Sequence, residues 1–122
     1  MIKLTMLIRR KPGMTREQFR DYYETRHIPL AEAHTPYLSG YKRNFIVDQF
    51  AGEDQFDCIT EFWFDVEGDY AQMRGKLFPT DVMQMMADDE ENFIDRSKSQ
   101  LFLIEENVSP PENLLGNRAK AD

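Results

Sequence analysis

The sequence predicts an α+β fold of the ferredoxin-like type, in which a four-stranded antiparallel sheet carries helices on one face. The chain has 122 residues, which is enough for one hydrophobic core and too few for two cores that would each be stable alone. Its apolar patterns follow one another in the order β-α-β-β-α-β, the order that builds such a sheet. One domain is therefore expected over residues 1–106, followed by an extended tail over residues 107–122.

The first strand and the first helix carry the strongest local signals. Residues 1–9 alternate between apolar and other residues, as a half-buried strand does. Thr15 and Gln18 then have the spacing of a capping box, which opens a helix. Pro29 disfavours helical geometry at Ile28 and removes a backbone donor, so the helix is expected to kink there and to end near Pro36. Helical spacing puts one set of side chains on the inward stripe: Phe19, Tyr22, Tyr23, His27 and Leu30.

The remaining elements follow from shorter patterns. Both faces of the third strand are partly apolar, so both faces of the sheet are expected to be covered. Asp88 and Glu91 have capping-box-like spacing for one further helical turn over residues 88–94. The predicted elements after the first helix are strands over residues 40–49 and 56–64, helices over 66–78 and from Thr80, and a last strand over 100–106.

Composition and charge exclude several classes of partner. The 22 acidic and 15 basic residues give a formal charge of -7, which disfavours nucleic acid and anionic lipid. No apolar run reaches the roughly 20 residues that span a bilayer. Cys58 is the single cysteine, and the first residues lack the apolar block of a signal peptide, so a cytoplasmic protein is expected.

Three stretches are similar to the EthD family, whose name comes from an ethyl tert-butyl ether degradation cluster. They are RRKPGMTREQFRDYYETRHIPLA over residues 9–31, FDCITEFWFD over 56–65 and ADDEENFID over 87–95. The resemblance implies a ferredoxin-like subunit that pairs with a second copy into a dimeric α/β barrel. The pairing also follows from the sheet itself, because a two-fold partner covers its otherwise open face.

His27 is the candidate catalytic residue. A neutral imidazole on the inward stripe can take and give a proton near pH 7, and the resemblance places its counterpart at the family's pocket. The alternative is a structural histidine bonded to backbone or to Tyr23. Tyr23, one turn earlier, and Tyr41, where isomerase-like relatives carry a pocket tyrosine, are candidates for orienting a substrate oxygen, although packing with a hydroxyl at the rim explains them equally.

An apolar cavity is expected around His27, with methionine and aromatic walls that suit an aromatic ring. The alternative for most of these residues is plain core. In isomerase-like relatives a pocket cysteine occupies the position of Phe62, so inherited isomerase chemistry is disfavoured. The candidate substrate-binding residues are Tyr23, Tyr41, Met6, Phe62, Trp63, Phe64 and Phe93.

Bound cofactors and metals are not expected. The six glycines show neither the G-x-G-x-x-G nor the P-loop spacing that cradles phosphate. Glu24 and His27 form a single E-x-x-H pair, whereas di-metal sites use two copies on facing helices. Cys58 has no histidine near it in sequence and is expected to pack as a small hydrophobe.

The leading hypothesis is a cofactor-independent lyase or isomerase that acts on a small hydrophobic aromatic or polyketide-like molecule, with His27 as general acid and base. Dehydration, decarboxylation and enolisation all fit this pattern. The resemblance spans polyketide dehydratases, decarboxylases, muconolactone-type isomerases and cofactor-free monooxygenases, and a shared fold does not choose among them. Two alternatives remain: a non-catalytic protein that binds a small molecule, and a cofactor-free monooxygenase.

Overall fold

The computed structural model describes residues 1–119 and has the predicted α+β architecture. One four-stranded antiparallel sheet has the strand order β2-β3-β1-β4, so β1 lies between β3 and β4. Within these residues, no helix is both long and apolar enough to cross a bilayer. In chain order the elements are β1 (Ile2–Ile8), α1 (Arg16–Tyr22), α2 (Ile28–His34), β2 (Leu38–Phe45), β3 (Cys58–Phe64), α3 (Tyr70–Leu77), α4 (Thr80–Glu90), β4 (Gln100–Ile104) and α5 (Leu115–Ala119).

The core fills the space between one face of the sheet and the helices, because alternate strand residues point to this face. It consists of two clusters. One joins the first helical segment to the sheet and to the chain after α4: Ile8, Phe19, Tyr23, Ile28, Cys58, Phe93 and Ile94. The other lies under α3: Ile2, Leu4, Phe64, Val66 and Leu77.

The first helical segment begins as predicted and is interrupted earlier than predicted. The side chains of Thr15 and Gln18 each bond to the other's backbone N–H, which confirms the capping box. Instead of a kink at Pro29, a π-helical turn spans Tyr23–His27 and Pro29 lies in the first turn of α2. Because the proline ring collides with the carbonyl four residues back, the wider turn before it relieves that contact.

Two predictions about the second half of the chain are wrong. The separate helical turn over residues 88–94 does not form, because α4 continues to Glu90 and Ile94 instead pairs with Arg10 as an isolated β-bridge. The tail is not wholly extended, since Pro111–Asn113 and Leu115–Ala119 are helical and bond to each other through Asn117. Its predicted last residues, 120–122, lie outside the described part. The domain boundary at residue 106 stays a prediction.

The other face of the sheet is open in this single chain. Ile59 and Phe102 are 37% and 43% exposed, and the register places both on the face away from the helices. Trp63 lies on the same face, with the Lys3 and Lys42 ammonium groups 4.6 and 5.3 Å from its ring. This mixed apolar and charged surface is called the open sheet face below.

Candidate functional site

A cavity of about 370 Å³ lies between the helices and the sheet. Its floor comes from the four strands of the sheet, one wall from the first helical segment and the opposite wall from α3 and α4. The volume suits a small molecule, and pockets of this kind are mostly apolar with a few polar groups. The side chains that line it most directly are Met6, Tyr23, His27, Tyr41, Phe62, Arg74, Phe78, Met83, Met86, Ala87, Glu90, Ile94, Arg96 and Leu101.

His27 is buried in the wall of this cavity and bonded to a carboxylate. Its side chain is 8% exposed, and Nδ1 lies 2.8 Å from Oδ2 of Asp89. A neutral imidazole can only donate to a carboxylate, so the proton sits on Nδ1. Nε2 is then the ring nitrogen that keeps a lone pair for a ligand.

Burial sets the charge of this histidine. Desolvation lowers the pKa of His27 below its ordinary value, and the hydrogen bond and charge of Asp89 oppose that effect only in part. The ring is therefore neutral at pH 7. The neighbouring carboxylate still stabilises the imidazolium that forms when Nε2 takes a proton.

Asp89 is held in place by groups from three parts of the fold. Its other oxygen accepts a hydrogen bond of 2.7 Å from the Tyr22 hydroxyl, which in turn accepts one of 2.9 Å from the Asn92 amide. The chain after α4 is fixed to the end of β1 because Lys11 N–H donates to the Phe93 carbonyl at 2.8 Å. Phe93 also backs the imidazole, with 4.9 Å between ring centroids.

A pair of phenols forms the polar part of the floor. The Tyr23 hydroxyl is buried and lies 2.8 Å from the Thr60 hydroxyl and 3.1 Å from the Tyr41 hydroxyl. Burial is the main cause that raises the pKa of both tyrosines, so both are neutral at pH 7. The Tyr23 hydroxyl already has two hydrogen-bond partners inside the protein. Tyr41 is therefore the tyrosine whose hydroxyl can form a further hydrogen bond to a ligand.

Guanidinium and aromatic groups fix the orientation of Tyr41. Arg43 lies over its ring at 5.1 Å and binds Glu24 through two hydrogen bonds of 3.0 and 2.8 Å. The Phe62 ring is 4.8 Å away on the neighbouring strand. Glu24 is therefore engaged with Arg43 and not with His27, so the E-x-x-H pair does not converge on one site.

The structure brings only some of the predicted apolar residues to the cavity. Met6 and Phe62 line it. Phe64 and Phe93 are fully buried behind its lining. Trp63 does not reach it, because successive side chains of a strand point to opposite faces and Trp63 follows Phe62. Its indole covers Gly40 on the open sheet face, where a Cβ on that glycine would lie 2.9 Å from the ring.

Cys58 behaves as the sequence predicts. Its side chain is fully buried in the core cluster, and burial raises the pKa of its thiol to about 11. Little thiolate is present at pH 7, so nucleophilic chemistry at this residue is disfavoured.

Sequence reasoning missed Asp89, the closest functional partner of His27. The two residues are 62 positions apart, and four consecutive acidic residues from Asp88 to Glu91 give no sign of which one turns inward. The available signal was helical spacing, since Met86, Ala87 and Glu90 form a stripe that places Asp89 at its side.

Comparisons with known proteins identify the family. The EthD domain matches residues 11–97, a range that covers more than half of the chain and contains both His27 and Asp89. The chain belongs to the EthD family. No curated protein matches it.

Solved structures show the same fold as this EthD domain. An EthD family protein from Bacillus halodurans is 22% identical, with a TM-score of 0.64 over 88% of this chain and 100% of the other. A crystal structure of an Arabidopsis thaliana protein gives 0.64 at 14% identity, covering 90% and 99% of the two chains. The solution structure of that plant protein gives 0.58 at 16% identity, covering 89% and 90%. At these identities the likeness establishes the fold alone.

Proposed function

We propose that this EthD protein is a cofactor-independent lyase or isomerase that acts on a small hydrophobic substrate, of aromatic or polyketide-like character, with His27 as general acid and base. The observation that carries the proposal is the buried imidazole whose Nδ1 is held by Asp89 at 2.8 Å. This arrangement leaves Nε2 as a base in the wall of an apolar cavity.

The proposed step is proton abstraction next to a substrate carbonyl. Nε2 of His27 removes a proton from the carbon beside the carbonyl group, and the electron pair of that C–H bond forms the enolate. The imidazolium that results faces Asp89, whose charge stabilises it in a site shielded from water. The lowered pKa of His27 keeps its ring neutral at pH 7, so the ring is available as a base.

Tyr41 is proposed to position the substrate oxygen. Tyr41 lines the cavity, and its hydroxyl is held by the hydroxyl of Tyr23, which also bonds to Thr60. A neutral phenol donates a hydrogen bond to a carbonyl oxygen and strengthens it as negative charge develops there. Met6 and Phe62 supply apolar contact for a ring. In this proposal Tyr23 acts through Tyr41 and does not touch the ligand.

Exchange of carbon-bound protons tests the proposed step without knowledge of the natural substrate. 2-Tetralone is a small aromatic ketone with acidic protons beside its carbonyl, and their loss in D2O is followed by proton NMR. We expect wild-type protein to accelerate exchange above the buffer rate and His27→Gln to lose about a hundredfold or more of that acceleration. His34→Gln is the matched control, because His34 is exposed.

Each outcome of this experiment separates the candidate functions. Exchange at the wild-type rate in His27→Gln would remove this histidine from catalysis. Saturable binding of 2-tetralone without exchange, unchanged in His27→Gln, would favour a non-catalytic binding protein. An oxidised product that forms only when oxygen is present would favour the cofactor-free monooxygenase.

We also propose that the protein works as a homodimer in the cytoplasm. The support for pairing is the open sheet face, where Ile59 and Phe102 remain exposed in the single chain. A two-fold partner stacks sheet on sheet and removes both side chains from water, which completes the dimeric α/β barrel. The buried free thiol of Cys58 suits a reducing compartment.

A further inference from the structure

Glu90 places a carboxyl group in the cavity wall, where no structural role accounts for it. On α4 the residues that face the cavity follow helical spacing and are apolar until the last, where Glu90 takes the place of a hydrophobic side chain. The preceding members of this stripe are Met83, Met86 and Ala87. The Glu90 side chain is only 18% exposed, so its carboxyl group lies against the cavity and not in bulk water.

The polar contacts of this group are sparse. Within residues 1–119 its carboxyl oxygens accept no hydrogen bond, and the nearest cation is Arg96, with Nε 4.0 Å from Oε2. Asp89, its neighbour on the helix, is by contrast held by Tyr22 and His27. Glu90 lines the cavity, and no buried side-chain oxygen of the described residues lacks a partner, so its carboxyl oxygens are open to a ligand that enters the cavity.

Glu90 and the proposed oxygen-binding residue Tyr41 line the same cavity. The end of α4 thus supplies two acids with different partners. Asp89 serves His27, and Glu90 faces the space that a ligand would fill.

We propose that Glu90 is the second proton-transfer residue of this site and acts as a general acid opposite the base His27. This inference rests on the proposed function and adds a catalytic residue to it. As Nε2 of His27 takes the proton from carbon, that C–H electron pair becomes the C=C bond of an enol. The carbonyl π bond opens toward oxygen, and the Glu90 O–H bond breaks to give its proton to that oxygen.

The charges that this step creates both have a counter-charge in place. His27 becomes an imidazolium beside Asp89, and Glu90 becomes a carboxylate beside Arg96. Proton transfer in the opposite direction restores both residues, so no oxidant, metal or cofactor takes part. The substrate class that fits is an enolisable ketone on an apolar frame, whose carbonyl oxygen accepts from Tyr41 and Glu90 together.

The surroundings of Glu90 shift its carboxyl group toward the protonated form. Burial raises the pKa of Glu90, the charge of Asp89 raises it further, and Arg96 opposes both. The other titratable or charged groups of the cavity wall are His27, Tyr23, Tyr41, Tyr70, Arg74 and Arg96. A ligand that expels water from the cavity strengthens the effect of burial, which favours the protonated carboxyl group.

The 2-tetralone exchange assay tests the proposal with Glu90→Gln. Glutamine keeps the size and a hydrogen-bond donor but has no proton to give, so we expect exchange to fall about tenfold or more. In wild-type protein we expect the exchange rate to decline with rising pH as Glu90 loses its proton. In Glu90→Gln this decline should be absent. Glu91→Gln is the matched control, because Glu91 is the next residue and is exposed.

A binding measurement makes the test independent of turnover. 2-Naphthol resembles an aromatic enol, and its binding is followed by its own fluorescence. In wild-type protein and in His27→Gln, affinity should fall as pH rises through the raised pKa of Glu90, because an ionised Glu90 resists desolvation. In Glu90→Gln this fall should be absent.

The outcomes separate this inference from the proposed function. Three results together would show that Glu90 is not a proton-transfer residue. His27→Gln would lose exchange, Glu90→Gln would match Glu91→Gln in rate and pH profile, and naphthol affinity would keep its pH dependence in Glu90→Gln. If His27→Gln exchanges as fast as wild-type protein, the proposed function itself fails. Loss of the naphthol pH dependence in Glu90→Gln would still place Glu90 at the ligand.

Discussion

His27 and Asp89 meet across the interior of the fold, with 2.8 Å between Nδ1 and Oδ2. The histidine comes from the π-helical turn that joins α1 to α2, and the aspartate comes from the end of α4. This contact fixes which ring nitrogen carries the proton, and it holds the ring in the cavity lining. The chemical role proposed for His27 therefore depends on a residue 62 positions away.

The first prediction concerns the charge of Asp89. Asp89→Asn keeps the shape of the side chain but removes the negative charge that stabilises the imidazolium, so 2-tetralone exchange should fall about tenfold or more. Asp88→Asn is the control, because Asp88 is exposed and accepts a hydrogen bond from Gln84 on the same helix. Equal exchange rates in the two variants would show that the His27 and Asp89 contact is structural only.

The second prediction concerns stability and pH. Burial holds the pKa of His27 below its ordinary value of 6.5 in the folded chain. Between the folded and the ordinary value the unfolded chain binds more protons, so stability falls as pH drops through this window. His27→Gln removes that loss and leaves Glu90 unchanged.

Urea unfolding at pH 7.5 and pH 5 measures this effect. Relative to His27→Gln, wild-type protein should be less stable at pH 5 than at pH 7.5, by up to about 1.4 kcal/mol per unit of pKa depression. If wild-type protein and His27→Gln differ in the free energy of unfolding by the same amount at both pH values, the pKa of His27 is the same in the folded and the unfolded chain.

The third prediction concerns the buried hydroxyl of Tyr23. Tyr23→Phe removes the partner of the Thr60 hydroxyl at 2.8 Å and of the Tyr41 hydroxyl at 3.1 Å. Because Thr60 is fully buried, we expect the free energy of unfolding to fall by about 1–3 kcal/mol. Tyr37→Phe, at an exposed tyrosine, is the control in urea titration. A change no larger than that of the control would contradict the assigned network.

The fourth prediction concerns the open sheet face. Light scattering of wild-type protein at micromolar concentration should give twice the 14.4 kDa of one chain. Ile59→Lys puts a charge into the proposed sheet contact and should shift the mass toward one chain. Val47→Lys makes the same change at an 85% exposed loop position and should leave the dimer intact. A wild-type mass of one chain would refute the pairing.

Local signals predicted most of the fold because they act over a few residues. The capping box at Thr15, the alternation of β1 and the order of elements are all present as expected. The sequence predicts an interruption of the first helical segment at Pro29, because a proline disfavours helical geometry next to it. The structure instead has a π-helical turn over Tyr23–His27, before the proline. The position of this turn depends on how the whole segment packs.

The site was only partly predictable because its main contacts are long-range. Helical periodicity placed Tyr23 and His27 on one inward stripe, and the structure puts both in the cavity wall. The partner Asp89 depends on how α4 docks, which no short pattern encodes. Strand alternation separates Trp63 from Phe62 and Phe64, which is why its side chain lies on the open sheet face.

The protonation state of the His27 ring tests the central claim most directly. Nitrogen-15 NMR at pH 7 reports the two ring nitrogens separately, with and without 2-naphthol. We expect a proton on Nδ1, none on Nε2, and a large change in the Nε2 signal alone when the ligand is added. A protonated Nε2 at pH 7, or a ring whose signals ignore the bound ligand, would contradict it.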